Sequence, residues 1–193
     1  MALIIKFKYN PLMKTRGFTL IELLVVISII TLLASVILGS LTSTRSKANN
    51  ANINRMVLQY ANAAELYRSK YNTYPVTTTY NCLGGGYPTT NDSCGWCSAA
   101  NIALGKCNYP ASATLEDNLD EFIPSYPPVN TKRFFADTTN NEWMGAIYSY
   151  TAANKEFYWV LEGQNQTCSR PPNAISLSVS NASAGTYCRA SLQ

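Results

Sequence analysis

Residues Gly17 to Ile37 read Gly-Phe-Thr-Leu-Ile-Glu-Leu-Leu-Val-Val-Ile-Ser-Ile-Ile-Thr-Leu-Leu-Ala-Ser-Val-Ile, an apolar run with one ionisable side chain, Glu22. From Phe18 to Gly39 the stretch holds 22 residues, about 33 Å as helix against a hydrocarbon core of about 30 Å. A secretory signal peptide has an apolar region of only about 7 to 15 residues, followed by a small-residue cleavage site. The run is too long for that and spans a bilayer. An ionised group near the middle of such a helix costs about 2.5 to 3.5 kcal/mol on insertion scales, so Glu22 needs a reason. Its place in the first turns brings it near the positive end of the helix dipole, which relieves part of the cost. The remainder asks for a cationic partner.

The chain carries a formal net charge of +4 and no histidine. Lys6, Lys8, Lys14 and Arg16 all precede the apolar run, in a segment without Asp or Glu, and setting them aside leaves 11 basic against 11 acidic residues. The remaining chain is neutral, so no general field for phosphates arises and no specific nucleic acid is indicated. Arg45, Lys47 and Arg55 beyond the span nearly balance the basic residues before it, leaving orientation by charge weak. The missing histidine removes histidine-based triads and metal ligands. Gly84-Gly85-Gly86 lacks the Gly-Lys-Ser/Thr of a phosphate loop, and we expect no enzyme.

The residues Arg16-Gly17-Phe18-Thr19-Leu20-Ile21-Glu22-Leu23 resemble the processing motif of type IV pilins and type II secretion pseudopilins, and the resemblance covers residues 14 to 38. It implies cleavage by a prepilin peptidase between Gly17 and Phe18, N-methylation of Phe18, and a role for Glu22 in subunit assembly, paired with the N-terminal amine of a neighbouring copy. Residues 1–17 are then a leader. Met13-Lys14-Thr15-Arg16-Gly17 is a typical leader of this family by itself, so Met13 is an alternative translation start that leaves the cut site unchanged. A cytoplasmic leader and an external domain follow from the motif.

Beyond the span, Ile53, Met56, Val57, Tyr60, Ala64, Tyr67 and Tyr71 recur at spacings of three and four, which makes one apolar helical face. One long helix is expected from about Thr19 to about Tyr71, lipid-embedded in residues 18–39 and amphipathic in 40–72. In the resembled family Pro often stands at the position of Gly39, where the helix bends; Gly could serve similarly, and plain helix packing is the competing reading. Tyr74-Pro75 stops the helix. Residues 73–193 are the expected extracytoplasmic globular domain. Within it, Val76 to Ser112 reads as an irregular, stapled loop, and Thr114 to Ile123 as a short helix capped by Thr114. Trp143 to Tyr150 and Phe157 to Leu161 read as a hairpin, and Ala174 to Ser180 as a third strand. The expected fold class is α+β, a long N-terminal helix packed on a small antiparallel sheet. The short helix with its Phe-Ile-Pro-Ser-Tyr-Pro-Pro segment and the Tyr-rich strands resemble the globular part of major pseudopilins and related pilins.

All six cysteines lie beyond the span, where an oxidising compartment suits disulfides. Cys168 and Cys188 bracket 19 residues, and their closure would remove about 3 kcal/mol of unfolded-state freedom; we pair them, as in the C-terminal disulfide loop of many type IV pilins. Cys82, Cys94, Cys97 and Cys107 allow three pairings, with Cys82–Cys107 around an inner Cys94–Cys97 slightly preferred. A redox or zinc role for these four fits poorly with an oxidising exterior and the absence of a βαβ setting. Asp137, Asn140, Asn141 and Glu142 gather oxygen ligands of the type calcium prefers. Major pseudopilins bind calcium in a nearby loop, and an ordinary polar turn is the alternative. No other cofactor is expected.

The expected function is that of a structural subunit of a type IV pilus-like filament serving adhesion or motility. Its expected partners are the prepilin peptidase, copies of itself, minor pilins and an inner-membrane assembly platform. It would start as a single-pass inner-membrane precursor and end in an extracellular or periplasmic filament. Alternatives are a pseudopilin of a type II secretion system, a DNA-uptake pilus subunit, or a membrane-anchored binding or enzymatic domain.

Overall fold

The computed structural model describes residues 17–77, 80–127, 129, 134–135, 141–182 and 184–193. The chain divides into two compact units between Ser43 and Thr44. Helix α1 (Leu20–Tyr71, 52 residues) runs through position 39 without a break. In the first unit it is apolar all round, and its large side chains, such as Leu20, Ile30 and Leu38, are exposed, as expected of a helix whose solvent is lipid. The hydroxyls there bond back to the helix's own carbonyls: Ser28 to Val25 O at 2.8 Å, Thr31 to Ile27 O at 2.7 Å and Ser35 to Leu32 O at 2.7 Å. This removes the cost of carrying unpaired donors into a medium that offers no water.

In the second unit the helix buries Ile53, Met56, Val57, Tyr60, Ala61 and Ala64, each no more than 1% exposed. Tyr67 is half-buried and packs at the margin of this core, whereas Tyr71 is exposed. Asn72 ends the helix at φ +56°, its N–H donating to Arg68 O at 2.8 Å, and basic Arg68 and Lys70 in the last turn complement the dipole.

Two antiparallel sheets follow among the described residues. The larger has the order β1-β6-β7-β9-β8, built from β1 (Tyr80–Cys82), β6 (Ala146–Tyr150), β7 (Lys155–Glu162), β8 (Ala174–Asn181) and β9 (Gly185–Leu192). The smaller runs β3-β2-β5-β4, from β2 (Ser93–Cys97), β3 (Tyr109–Pro110), β4 (Phe134–Phe135) and β5 (Glu142–Met144). The inner face of the larger sheet, with Tyr148, Phe157, Trp159, Leu161, Cys188 and Ala190, closes the main core against α1 and against Leu115 and Leu119 of helix α3 (Ala113–Leu119). Its outer face contributes Cys82, Ile147 and Val160 to a second core shared with the smaller sheet.

Asn50 and Asn54 clamp α1 to the main sheet. Asn50 donates to Glu162 O (2.9 Å) and accepts from Glu162 N (2.8 Å), while Asn54 Oδ1 accepts from buried Trp159 Nε1 (2.9 Å).

Several sequence expectations change. The stretch from Val76 to Ser112 is not an irregular loop throughout: it holds β1, β2, β3 and a short helix α2 (Ala99–Ala103). The expected strand from Trp143 to Tyr150 breaks at Gly145, so that β5 joins the smaller sheet while β6 pairs with β7. Gly145 has φ +72°, and a Cβ there would lie 2.6 to 2.9 Å from the Tyr87 ring; both conditions call for glycine. The strand expected over Ala174 to Ser180 is present as β8, and its partner is a further strand, β9. Helix α3 is capped by Ser112, whose side chain accepts from Leu115 N, and not by Thr114.

Candidate functional site

The three motif residues meet at the start of α1. Gly17, Phe18 and Thr19 are non-helical and exposed, Phe18 at 83%, and among the described residues nothing lies within 4 Å of the place a Gly17 side chain would occupy. Thr19 stands immediately before the first helical residue, and Glu22 lies three positions further on. Glu22 Oε2 accepts from Thr19 N and from Thr19 Oγ1, both at 2.9 Å, and Thr19 Oγ1 accepts from Glu22 N at 3.3 Å.

This is a capping box, in which two helix-start donors that would otherwise lack partners are satisfied reciprocally. The Thr-x-x-Glu spacing that forms it is present at Thr19 and Glu22 in the sequence. The box holds the carboxylate at the helix start, facing the same concavity as Phe18, Ile21, Val25 and Val26, a hollow of about 340 Å3. Glu22 thus carries its own neutral hydrogen-bond donors, and the bonds fix its place without cancelling its charge.

The apolar segment below this cap is unburied and is long and apolar enough to cross a membrane.

The six cysteines form three disulfides: Cys82–Cys94, Cys97–Cys107 and Cys168–Cys188. The nested arrangement of Cys82–Cys107 around Cys94–Cys97 is therefore replaced. Cys94 and Cys97 lie three residues apart in one strand, β2, where extended backbone rises about 3.3 Å per residue and carries their Cα atoms beyond the reach of about 7 Å for a disulfide. Cys82 of β1 instead ties the larger sheet to β2 of the smaller one. With every cysteine bridged, no thiolate set remains for zinc or redox chemistry in this state. Cys168–Cys188 fastens the segment after β7 to strand β9, which lies between β7 and β8, within the main core.

Of the four calcium candidates, Asp137 and Asn140 lie outside the described residues. Asn141 directly precedes β5, and Glu142 opens it, in register with Cys97. Among the described residues no three Cys, Asp or Glu side chains assemble into a metal site.

On the outer face of the larger sheet, Glu156 is buried and accepts from Arg189 Nε (3.0 Å), Arg189 Nη2 (2.5 Å) and Ser191 Oγ (2.9 Å), and also from the Tyr158 hydroxyl. Burial alone would raise this carboxyl; the hydrogen bonds from Tyr158, Arg189 and Ser191 outweigh it and hold the group below the ordinary carboxylate range. Burial and the bond to Glu156 together push the Tyr158 hydroxyl up.

A capped apolar helix continued into a helix packed on antiparallel sheets defines a pilin-like α+β protein. Residues 12–38 match the prokaryotic N-terminal methylation motif. The chain is 33% identical over 99 residues to the type IV wide pilus major component PilA4 of Thermus thermophilus, covering 51% of this chain and 60% of that protein. It is 38% identical over 64 residues to the type II secretion system core protein G of Escherichia coli, covering 33% of this chain and 44% of that protein. The corresponding protein of Aeromonas hydrophila is 36% identical over 64 residues, covering 33% and 45%. The chain spans about half the length of the curated relatives it matches, and no solved structure matches it. The methylation motif and these partial similarities support a likeness to type IV pilins and type II secretion pseudopilins, which are structural subunits rather than enzymes.

Proposed function

We propose that this chain is the precursor of a filament subunit, cut between Gly17 and Phe18 by a prepilin peptidase and methylated on Phe18. Residues 1–17 are the leader, 18–39 the membrane and assembly segment, 40–72 the amphipathic continuation of the helix and 73–193 the external domain. In the inner membrane the apolar side chains face lipid; on assembly they face the same segment of other copies, so hydrocarbon contact is retained while the helix leaves the bilayer. The N-terminal amine that cleavage creates on Phe18 is a cation, and Glu22 of a neighbouring copy is its partner. A carboxylate in an apolar filament core is costly when unpaired, and this cost sets the axial register between copies.

The observation that carries the reading is the Thr19–Glu22 capping box beside exposed Gly17 and Phe18 at the head of an exposed apolar helix. The box holds the carboxylate in place before any neighbour arrives, which lowers the ordering cost of the intersubunit pair. Prepilin peptidase, minor pilins and an inner-membrane assembly platform are the partners this route needs.

The favoured setting is a surface pilus for adhesion or motility, supported by the partial similarity to PilA4 and by the Cys168–Cys188 bridge. A secretion pseudopilus is the second reading, supported by the two core protein G relatives. Mass spectrometry of the N-terminus and electron microscopy of sheared material from the native cell test the proposal. A chain beginning at methylated Phe18 within surface filaments supports the pilus. Processed chain that stays in the envelope, together with loss of secretion on deletion, supports the pseudopilus; an uncut, solitary chain rejects both.

A further inference from the structure

The larger sheet ends in two unlike edges. At β1 the edge is three residues long, and Cys82 is bridged on its free side to Ala111. At β8 it runs eight residues, six of them exposed, and among the described residues no strand lies beyond it. Proteins blunt such an edge with charged side chains, proline or a bulge, because its unpaired backbone groups recruit another strand. From Ala174 to Asn181 there is no ionisable residue and no proline, and the one bulge lies at the start, between Ala174 and Ser176.

The hydrogen-bond phase of β8 follows from its neighbours. Ala182 N donates to Gly185 O at 2.9 Å, and Gly163 N to Ala184 O at 3.0 Å. Ser176, Ser178 and Ser180 therefore bond inward to β9, and the backbone groups of Leu177, Val179 and Asn181 face away from the sheet. Leu177 and Val179 stand opposite Ala190 and Cys188 on the inner face, and Val179 is still 52% exposed. The three serines stand opposite Ser191, Arg189 and Tyr187 on the outer face.

We propose that β8 pairs antiparallel with β8 of a second copy of this chain, about a two-fold axis at Ser178, so that the two sheets continue as one. Outward backbone groups in this phase are matched by an extended strand, which exchanges ladder bonds with them. Centring on Ser178 sets Leu177 opposite Val179, so that residues with outward backbone groups meet each other, and sets Ser176 opposite Ser180. Apolar side chains then meet apolar ones and hydroxyls meet hydroxyls. Charge permits the same partner: the strand opposes no charge to its copy, and the nearby cations Arg170 and Arg189 are already held by Ala174 O at 2.6 Å and by Glu156. Such a contact is isologous and closed. It joins two copies side by side without extending a filament, and it does not rest on Glu22 or on the proposed assembly.

The test is cysteine cross-linking of the full chain in zwitterionic micelles under mild air oxidation, read by non-reducing electrophoresis and peptide mass spectrometry. At the axis the two copies of position 178 form a narrow pair with Cα atoms about 4.5 Å apart, within disulfide reach. Position 176 lies about 13 Å along the strand from its own copy, beyond that reach. Ser178→Cys should therefore form a covalent dimer about tenfold or more faster than Ser176→Cys or Ser180→Cys alone, while a mixture of the last two links 176 to 180. Adding Val179→Pro removes an outward N–H and leaves the bonds to β9 in place; it should slow the Ser178→Cys linkage about tenfold with an unchanged unfolding transition. Adding Glu22→Ala should leave the linkage as it is. No linkage at 178, equal linkage at 176, 178 and 180, parental linkage in the folded proline variant, or loss of linkage with Glu22→Ala would each overturn the proposal.

Discussion

From Phe18 to Ser43 the chain presents its large apolar side chains outward and satisfies its hydroxyls within a single helix; from Thr44 onward it hides the same kinds of side chain between helix and sheet and adds three disulfides. One continuous helix, α1, obeys both regimes. The lesson is that helix formation is common to the two, and the solvent each part is made for differs. Leu32 at 68% exposure is suited to lipid or to other helices, whereas Tyr60 and Met56, fully buried, depend on the sheet.

The contrast can be broken most strongly at Trp159, which is 0% exposed and donates to Asn54. Trp159→Ala should cost about 3 to 5 kcal/mol, a large part of the stability of a typical domain. Leu32→Ala should leave the unfolding of the external domain unchanged. Denaturant titration of the full chain in micelles, followed by far-ultraviolet dichroism, compares the two.

The next largest effect belongs to the covalent staple: C168A/C188A should lose about 3 kcal/mol in the same titration, and added reductant should bring the parent toward the variant. Thr19→Ala tests the first unit by itself. Removing the capping residue should cost about 1 kcal/mol of helix-end stability, seen as faster hydrogen exchange at the Glu22 amide, from which Thr19 Oγ1 accepts, with no change in the domain's unfolding midpoint.

The smallest effect is electrostatic. The Glu156 carboxyl is lower in the folded chain than in the unfolded one, so its contribution is complete above the unfolded value near about 4.3 and is lost as pH falls through the folded value. Stability measured from pH 6 downward should therefore decline below about pH 4, with a shallower decline in Glu156→Gln.

The motif that contains Gly17, Phe18 and Glu22, and the apolar run after it, are legible in the sequence because a contiguous pattern needs no tertiary information. The buried face at Ile53, Met56, Val57 and Tyr60 was legible for a similar reason, since helical periodicity is local. Strand β9 was not, because its inward residues Cys188 and Ala190 and its buried Thr186 give no strong apolar alternation. The smaller sheet escaped because strands of two to five residues are too short for a period to emerge. Splitting of the expected 143–150 strand depended on Gly145 meeting Tyr87, a contact between distant parts of the chain. Disulfide pairing in the 82–107 region likewise waited on the strand that sets Cys94 and Cys97 apart. At the candidate assembly site the position of Glu22 near the helix start is legible in the sequence, whereas its bonds to Thr19 N and Oγ1 depend on side-chain geometry at that start.

The central claim is that the capped Glu22 carboxylate joins one subunit to the next. Its most direct measurement is the amount of polymer in the sheared surface fraction of native cells expressing Glu22→Ala, with N-terminal processing followed in parallel by mass spectrometry. The account predicts a chain cut normally after Gly17 and inserted in the membrane, with little or no filament. Filaments at parental abundance from the correctly processed variant would contradict it.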